Sequence, residues 1–271
     1  DSVGFDALKY GLPPSNIPAT DTSQLLGLMV ADKLFQSIAP DALNRIDRER
    51  MSVIIGVTGA TELTAHMSGR MARPQWEQGL RDSGLPDAEV KRIADQIAAQ
   101  FVPWQESTFP GLLGNVVAGR IANRFDLGGT NCIVDAACAS SLGALSMAIN
   151  ELRLGQADMV ITGGVDTLND PLMYLCFSKT PALSHSGDCR PFSDQADGTL
   201  MGEGLALLAL RRLSDAERER QDGEGCEGGR DAADHGATSD GVCRGPNGVR
   251  ATPLAPRFEG LPLPVFGARV V

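Results

Sequence analysis

Cys138 is the residue whose surroundings best suit chemistry. It stands among Ala136, Ala137 and Ala139, with Ser140-Ser141 directly after. Small neighbours allow a sharp turn without side-chain clashes, and the flanking patterns set that turn between a strand and a helix. A thiol placed there lies at a helix N-terminus, where the dipole and free N–H groups favour a thiolate. A thiolate attacks a thioester or another carbonyl, and the N–H of Cys138 itself could help hold the resulting oxyanion. Free cysteine is also among the most buried residue types and often just a small hydrophobe. Spacing alone leaves both readings open.

The other candidates carry weaker patterns. Cys132 lies inside a strand and reads as structural. Cys176 sits in the apolar run 172–177 and reads as core or pocket lining. Cys189, Cys226 and Cys243 have loop-like surroundings, and no C-x-x-C pair supports a zinc site. A cysteine nucleophile usually works with a histidine, and the chain has three. His66 and His185 read as surface residues, and His235 falls in a tail without clear pattern. Gly163-Gly164 and Gly202-x-Gly204 mark close backbone approach or turns, since neither fits a phosphate loop. Ser140 and Ser141 lack a G-x-S-x-G context and read as helix caps. Asp188, Arg190 and Asp194 read as an ion-pair and turn cluster, and 217–220 as a solvated helix end.

These residues need elements to position them. Residues 23–38 read as a helix with a broad apolar face that Pro40 ends. MSVIIGVTG at 51–59 reads as a buried strand. Asp87 is expected to cap a helix over 88–101, and a helix is expected over 110–125. A short strand follows at 131–135. A helix over 142–154 should turn Leu142, Leu145, Ile149 and Leu152 inward and end at Gly155. Strands are expected at 159–162 and 205–211. This alternation indicates an α/β fold with helices covering a sheet.

The chain has 271 residues, 42% hydrophobic and 21% charged, which is globular composition. A net charge of −10 argues against nucleic-acid binding, which relies on clustered Lys and Arg. No apolar run approaches the roughly 18 residues needed to span a membrane, and residues 1–20 do not read as a signal peptide. The sparse cysteines fit a reduced, cytoplasmic setting. Residues 1–216 hold 21 Gly and 11 Pro, whereas the much shorter 217–271 holds 10 Gly and 5 Pro. We therefore expect a folded unit over 1–216 and a loop-like, poorly ordered tail over 217–271. A start at Asp1 instead of Met reads as a fragment or processed chain.

Several motifs then resemble one family in the right order. NCIVDAACASSLGAL at 131–145 resembles the active-site segment of β-ketoacyl synthase (ketosynthase) domains. ADMVITGGVD at 157–166 resembles the strand and glycine turn that follow the nucleophile helix. SKTPALSHSGDCRPFSDQADGTLMGEG at 178–204 resembles the family's RPFD…DG…GEG stretch, and FPGLLGNVVAGRIANRFDLGGT at 109–130 its upstream segment. The wording is most similar to iterative polyketide, polyunsaturated fatty acid and enediyne synthases. The resemblance covers roughly 3–220.

It implies a thiolase-like, layered αβαβα fold, here mainly the N-terminal, nucleophile-bearing half, and a homodimer once the domain is complete. It also implies a decarboxylative Claisen condensation. Cys138 would accept an acyl group from an acyl carrier protein, and a malonyl carrier thioester would lose CO₂ and attack it. No metal or dissociable cofactor is implied, since phosphopantetheine belongs to the carrier protein. Two family histidines and a glycine-rich oxyanion segment lie well downstream of the nucleophile and find no match here. His235-Gly236-Ala237-Thr238 superficially resembles the HGTGT motif, but its flanks do not match, so no role is carried over. The tail is expected to be a divergent end or a shifted reading frame. The chain alone is expected to be poorly soluble and inactive in condensation. The alternative is a non-catalytic dimerisation or carrier-docking module. A cysteine hydrolase on another fold lacks a suitable histidine.

Overall fold

The computed structural model describes residues 3–59, 61–167, 169–219 and 265–269. A mixed sheet organises them. Its strands are β1 (Met51–Val57), β2 (Asn131–Val134), β3 (Met159–Asp166), β4 (Gly204–Leu210) and β5 (Val265–Arg269), in the order β2-β1-β3-β4-β5. β1 runs parallel to both β2 and β3, β4 is antiparallel to β3, and β5 is parallel to β4. All seven residues of β1 are buried, as expected for a central strand covered on both faces. Most of the tail read as loop-like lies outside the described residues. Of it, 217–219 end a helical run from 213, and β5 joins the sheet edge.

The helices are α1 (Thr22–Ser37), α2 (Pro40–Asn44), α3 (Thr61–Met71), α4 (Arg73–Asp82), α5 (Asp87–Ala98), α6 (Thr108–Leu112), α7 (Val116–Phe125), α8 (Ser140–Arg153) and α9 (Pro171–Lys179). Pro40 does end the α1 pattern, but it also opens α2, where its fixed φ suits a first helical position. Asp87 is the first residue of α5 and makes no cap; Pro86 holds the cap position. α3 buries Leu63 and Met67, one turn apart, and α4 buries none of its residues. α4 is instead laced by Arg73–Glu77 and Arg81–Glu77 pairs one turn apart.

Side-chain alternation along β1 divides the core. Val53, Ile55 and Val57 join the larger cluster with α1 and α7, while Ile54 points to the other face. There it packs with Ala144, Ala148 and Leu152 of α8 and with Val160. The inward stripe of α8 runs at i, i+4 and i+8, with Leu152 inward as expected, and its two alanines let the start of the helix lie close to the sheet. Leu142, expected inward, is 69% exposed. Gly155 at φ 68° ends the helix as expected.

Two polar devices fasten these layers. The buried carboxylate of Asp21 accepts from the Ser23 N–H of α1 at 3.0 Å and from the Leu63 N–H of α3 at 3.1 Å. Asp158, just before β3, accepts from Arg50 before β1 at 2.6 Å and from Arg212 after β4. The two guanidiniums hold the Asp158 carboxyl at a pKa of about 2.

Candidate active site

Cys138 is exposed, in a tight 3-10 turn (Ala137–Ala139) between β2 and α8. The local sequence builds that turn. Asp135 Oδ1 accepts from the Ala137 N–H at 3.0 Å. Ser140 Oγ accepts from the Ala136 N–H at 2.9 Å and donates to the Ala137 carbonyl at 2.6 Å. Ser140 therefore spans the turn, and the cap position of α8 belongs to Ala139, which has no side-chain acceptor. Ala137 has φ 49°, a left-handed conformation costing on the order of 1 kcal/mol outside glycine. A methyl group keeps that cost low.

Beneath the turn the sheet presents two glycines. A Cβ on Gly56 would lie 2.5 Å from the Ser140 carbonyl carbon and from the Ser141 nitrogen. A Cβ on Gly164 would lie 2.8 Å from Ser141 Cβ. The first residues of α8 thus rest on bare backbone. Gly163, at φ 147°, brings its Cα against the Ala206 carbonyl of β4, where a Cβ would come within 2.0 Å. Close approach therefore holds at 163 and 164. It does not hold at Gly202 or Gly204, which face open space.

The remaining sequence candidates disperse. Cys132 is half-buried on β2 beside the Ile54 cluster, and burial, with Glu151 adding to it, pushes its thiol pKa up. Cys176 is exposed on α9, which buries none of its residues, so it is not part of the core. His66 is half-buried on α3, with its ring edge-on to Phe101 at 6.2 Å and Nδ1 without a partner, so it is not a solvated surface group. His185 is exposed in its loop. His235, Cys226 and Cys243 lie outside the described residues. Among the described residues no hydrogen bond joins Cys138 to a histidine.

The loop after α9 is pinned by Asp197. Its carboxylate accepts from Ser184 Oγ at 2.6 Å and from the Ser186 N–H at 2.8 Å, which hold its pKa at about 2. Arg190 pairs with Asp188 as expected, at 2.9 Å, whereas Asp194 accepts from Ser193 Oγ and pairs with no cation among the described residues.

Sequence reading missed Gln24. Fully buried on α1, its Nε2 faces the carbonyls of Pro110, Gly111 and Leu113, and its Oε1 accepts from Arg120. Those carbonyls sit where the expected helix over 110–125 breaks into α6 and α7. The Pro110 and Leu113 carbonyls also accept from the N–H groups of Leu113 and Val116, and a buried amide 86 to 89 residues away adds a donor shared with Gly111. Among the described residues, no three His, Cys, Asp or Glu side chains group as a metal site, and no helix is long and apolar enough to cross a membrane.

An exposed cysteine on a left-handed turn thus stands between an edge strand and a helix lying on paired glycines, within an α/β sheet covered by helices. Solved structures share this thiolase-like fold. The chain superposes on the ketosynthase from module 6 of the bacillaene synthase of Bacillus subtilis 168, with a TM-score of 0.56 and 24% identity, over 80% of this chain and 31% of that one. The oxazolomycin ketosynthase domain OzmH KS7 of Streptomyces albus JA3453 gives a TM-score of 0.52 at 22% identity, over 79% of this chain and 32% of that one. Residues 1–216 match the family described as Beta-ketoacyl synthase, N-terminal domain, and the chain belongs to that family.

Curated relatives agree. A polyunsaturated fatty acid synthase protein of a Thraustochytrium species is 38% identical over 218 residues, covering 80% of this chain and 8% of that protein. The spectinabilin polyketide synthase system protein NorC of Streptomyces orinoci is 41% identical over 221 residues, covering 81% of this chain and 8% of that protein. The chain thus spans a small part of each relative's length.

Proposed function

We propose that this chain carries the nucleophile half of a β-ketoacyl-[acyl-carrier-protein] synthase and that Cys138 is the acyl acceptor. The observation that carries the reading is the exposed Cys138 on its left-handed turn, held by Asp135 and Ser140 above Gly56 and Gly164. The Cys138 thiolate attacks the carbonyl of an acyl thioester on an acyl carrier protein and expels the carrier's phosphopantetheine thiolate. A malonyl carrier thioester then loses CO₂, and its carbanion attacks the acyl-Cys138 carbonyl. The C–S bond breaks, Cys138 leaves as thiolate, and the carrier holds a 3-oxoacyl chain two carbons longer. The partners are acyl carrier protein and its acyl and malonyl thioesters. The complete domain works as a homodimer in the cytoplasm, and residues 1–216 are its portion here, with 217–271 a divergent or frameshifted tail.

The test is acylation of the full chain by an acyl N-acetylcysteamine thioester, read by intact mass and peptide mapping. The expected result is one acyl adduct on Cys138 and no 3-oxo product after adding malonyl carrier protein, since the family's two histidines have no match here. An adduct that persists in Cys138→Ala would overturn the assignment.

A second reading, a non-catalytic module that pairs with a complete ketosynthase, draws on the exposed Leu142, Leu172, Leu175 and Phe192. Co-elution with a complete ketosynthase, without any acylation, would favour it.

A further inference from the structure

None of the residues of the Cys138 turn lines the open cleft of about 520 Å³ formed by Asn16, Gln105, Glu106, Ser107, Pro110 and Arg120. Arg120 is half-buried there. Its Nε donates to Gln24 Oε1 at 2.7 Å, and among the described residues no carboxylate pairs with it. Burial alone acts on its charge and pulls its pKa below the ordinary arginine value. Ser107 Oγ, in the same lining, is buried and has no hydrogen-bond partner. In a chain of net charge −10, an uncompensated cation beside an unused hydroxyl leaves two donors without an acceptor.

We propose that this cleft binds the carboxylate of a small organic acid, held by the guanidinium of Arg120 and the hydroxyl of Ser107. Gln24 is itself fixed by three backbone carbonyls, so it sets the plane of the guanidinium through Nε. The terminal nitrogens remain as a fork, and a fork matches a planar two-oxygen acceptor better than a point charge does. Ser107 Oγ, buried in the wall, turns about χ1 to supply a further donor to one of those oxygens. Glu106, exposed in the lining, repels a second negative charge and so selects a monocarboxylate over a phosphate dianion. The site is independent of the acylation chemistry at Cys138, so each can fail without the other.

Trp104 directly precedes Gln105 and is 55% exposed, which makes it a reporter; the chain's other tryptophan, Trp76, is removed by Trp76→Phe. The full chain is titrated with sodium acetate at constant ionic strength, with sodium chloride and inorganic phosphate as comparison arms. The expected result is a saturable change in Trp104 fluorescence with acetate. Arg120→Gln should weaken binding about tenfold and Ser107→Ala about threefold. Glu106→Gln should tighten it about threefold by removing the opposing charge. That gain runs opposite to any general loss of structure, so it decides the matter even where Arg120→Gln unfolds. No saturable response, equal responses to acetate and chloride, tighter binding of phosphate, or acetate binding unmoved by both Glu106→Gln and Ser107→Ala would each overturn the proposal.

Discussion

Gly56 and Gly164 are register partners on neighbouring parallel strands, and the first turn of α8 lies on both. A Cβ on Gly56 would meet main-chain atoms that have no rotamer to change. We therefore expect Gly56→Ala to lift α8 and the Cys138 turn with it. Overpacking of this kind costs about 2–3 kcal/mol. Denaturant titration should show the loss, and acylation of Cys138 should slow by roughly 30- to 150-fold where that same energy is what holds the turn in its reactive geometry. Full acylation by Gly56→Ala would mean that the glycine pair does not position the nucleophile.

Cys138 and Cys132 should part company under alkylation. Cys138 is exposed, whereas Cys132 is half-buried with a thiol pKa raised by burial. Iodoacetamide should label Cys138 first, as peptide mapping would report. Cys138→Ala should abolish acylation while moving stability by less than about 0.5 kcal/mol, because its side chain packs against little. Cys132→Ala should retain acylation.

Acid should loosen the corner where three strands begin or end. The folded pKa of Asp158 is depressed to about 2, below the ordinary value of 3.8. Its contribution is therefore present above the unfolded value and is lost as pH falls from about 4 through about 2. With side chains 28–40% exposed, solvent screening reduces that contribution to about 1 kcal/mol. Asp158→Asn should lower stability at pH 7 by that amount and flatten the pH dependence between 4 and 2, measured by urea midpoints. An unchanged acid slope would refute this.

Gln24→Leu keeps bulk but removes every polar contact. The Gly111 carbonyl and the Nε of Arg120 lose the partner that Gln24 supplies, while the carbonyls of Pro110 and Leu113 keep the backbone N–H groups of Leu113 and Val116. Buried groups left unpaired cost about 1–3 kcal/mol each, partly recovered by water, so we expect a loss of about 2 kcal/mol in thermal or denaturant unfolding.

Local chemistry was legible in the sequence where the cause was local. The alanine and serine neighbours of Cys138 announce a turn, and Gly163-Gly164 announces a close approach. Gly56 carried no such mark, because its partner atoms come from residues 140 and 141. The helix expected over 110–125 fails for the same reason: Gln24, which stabilises its break, is remote in sequence. α3 escaped a reading based on apolar stripes because its buried stripe is short, Leu63 and Met67, and α4 because charge pairs, not burial, line much of its surface. Leu142 follows helical spacing but points outward, since α8 lies close to the sheet through alanines.

The Asp21 carboxylate serves two helices with two different oxygens, Oδ1 toward Ser23 and Oδ2 toward Leu63. Asparagine is as good a cap for a single helix, but its amide nitrogen would turn a donor toward the other helix's N–H. The position therefore works as a rivet whose two heads must both be acceptors. α1 and α3 are bound to keep a common heading, and a sequence change that tilts one of them has to carry the other along.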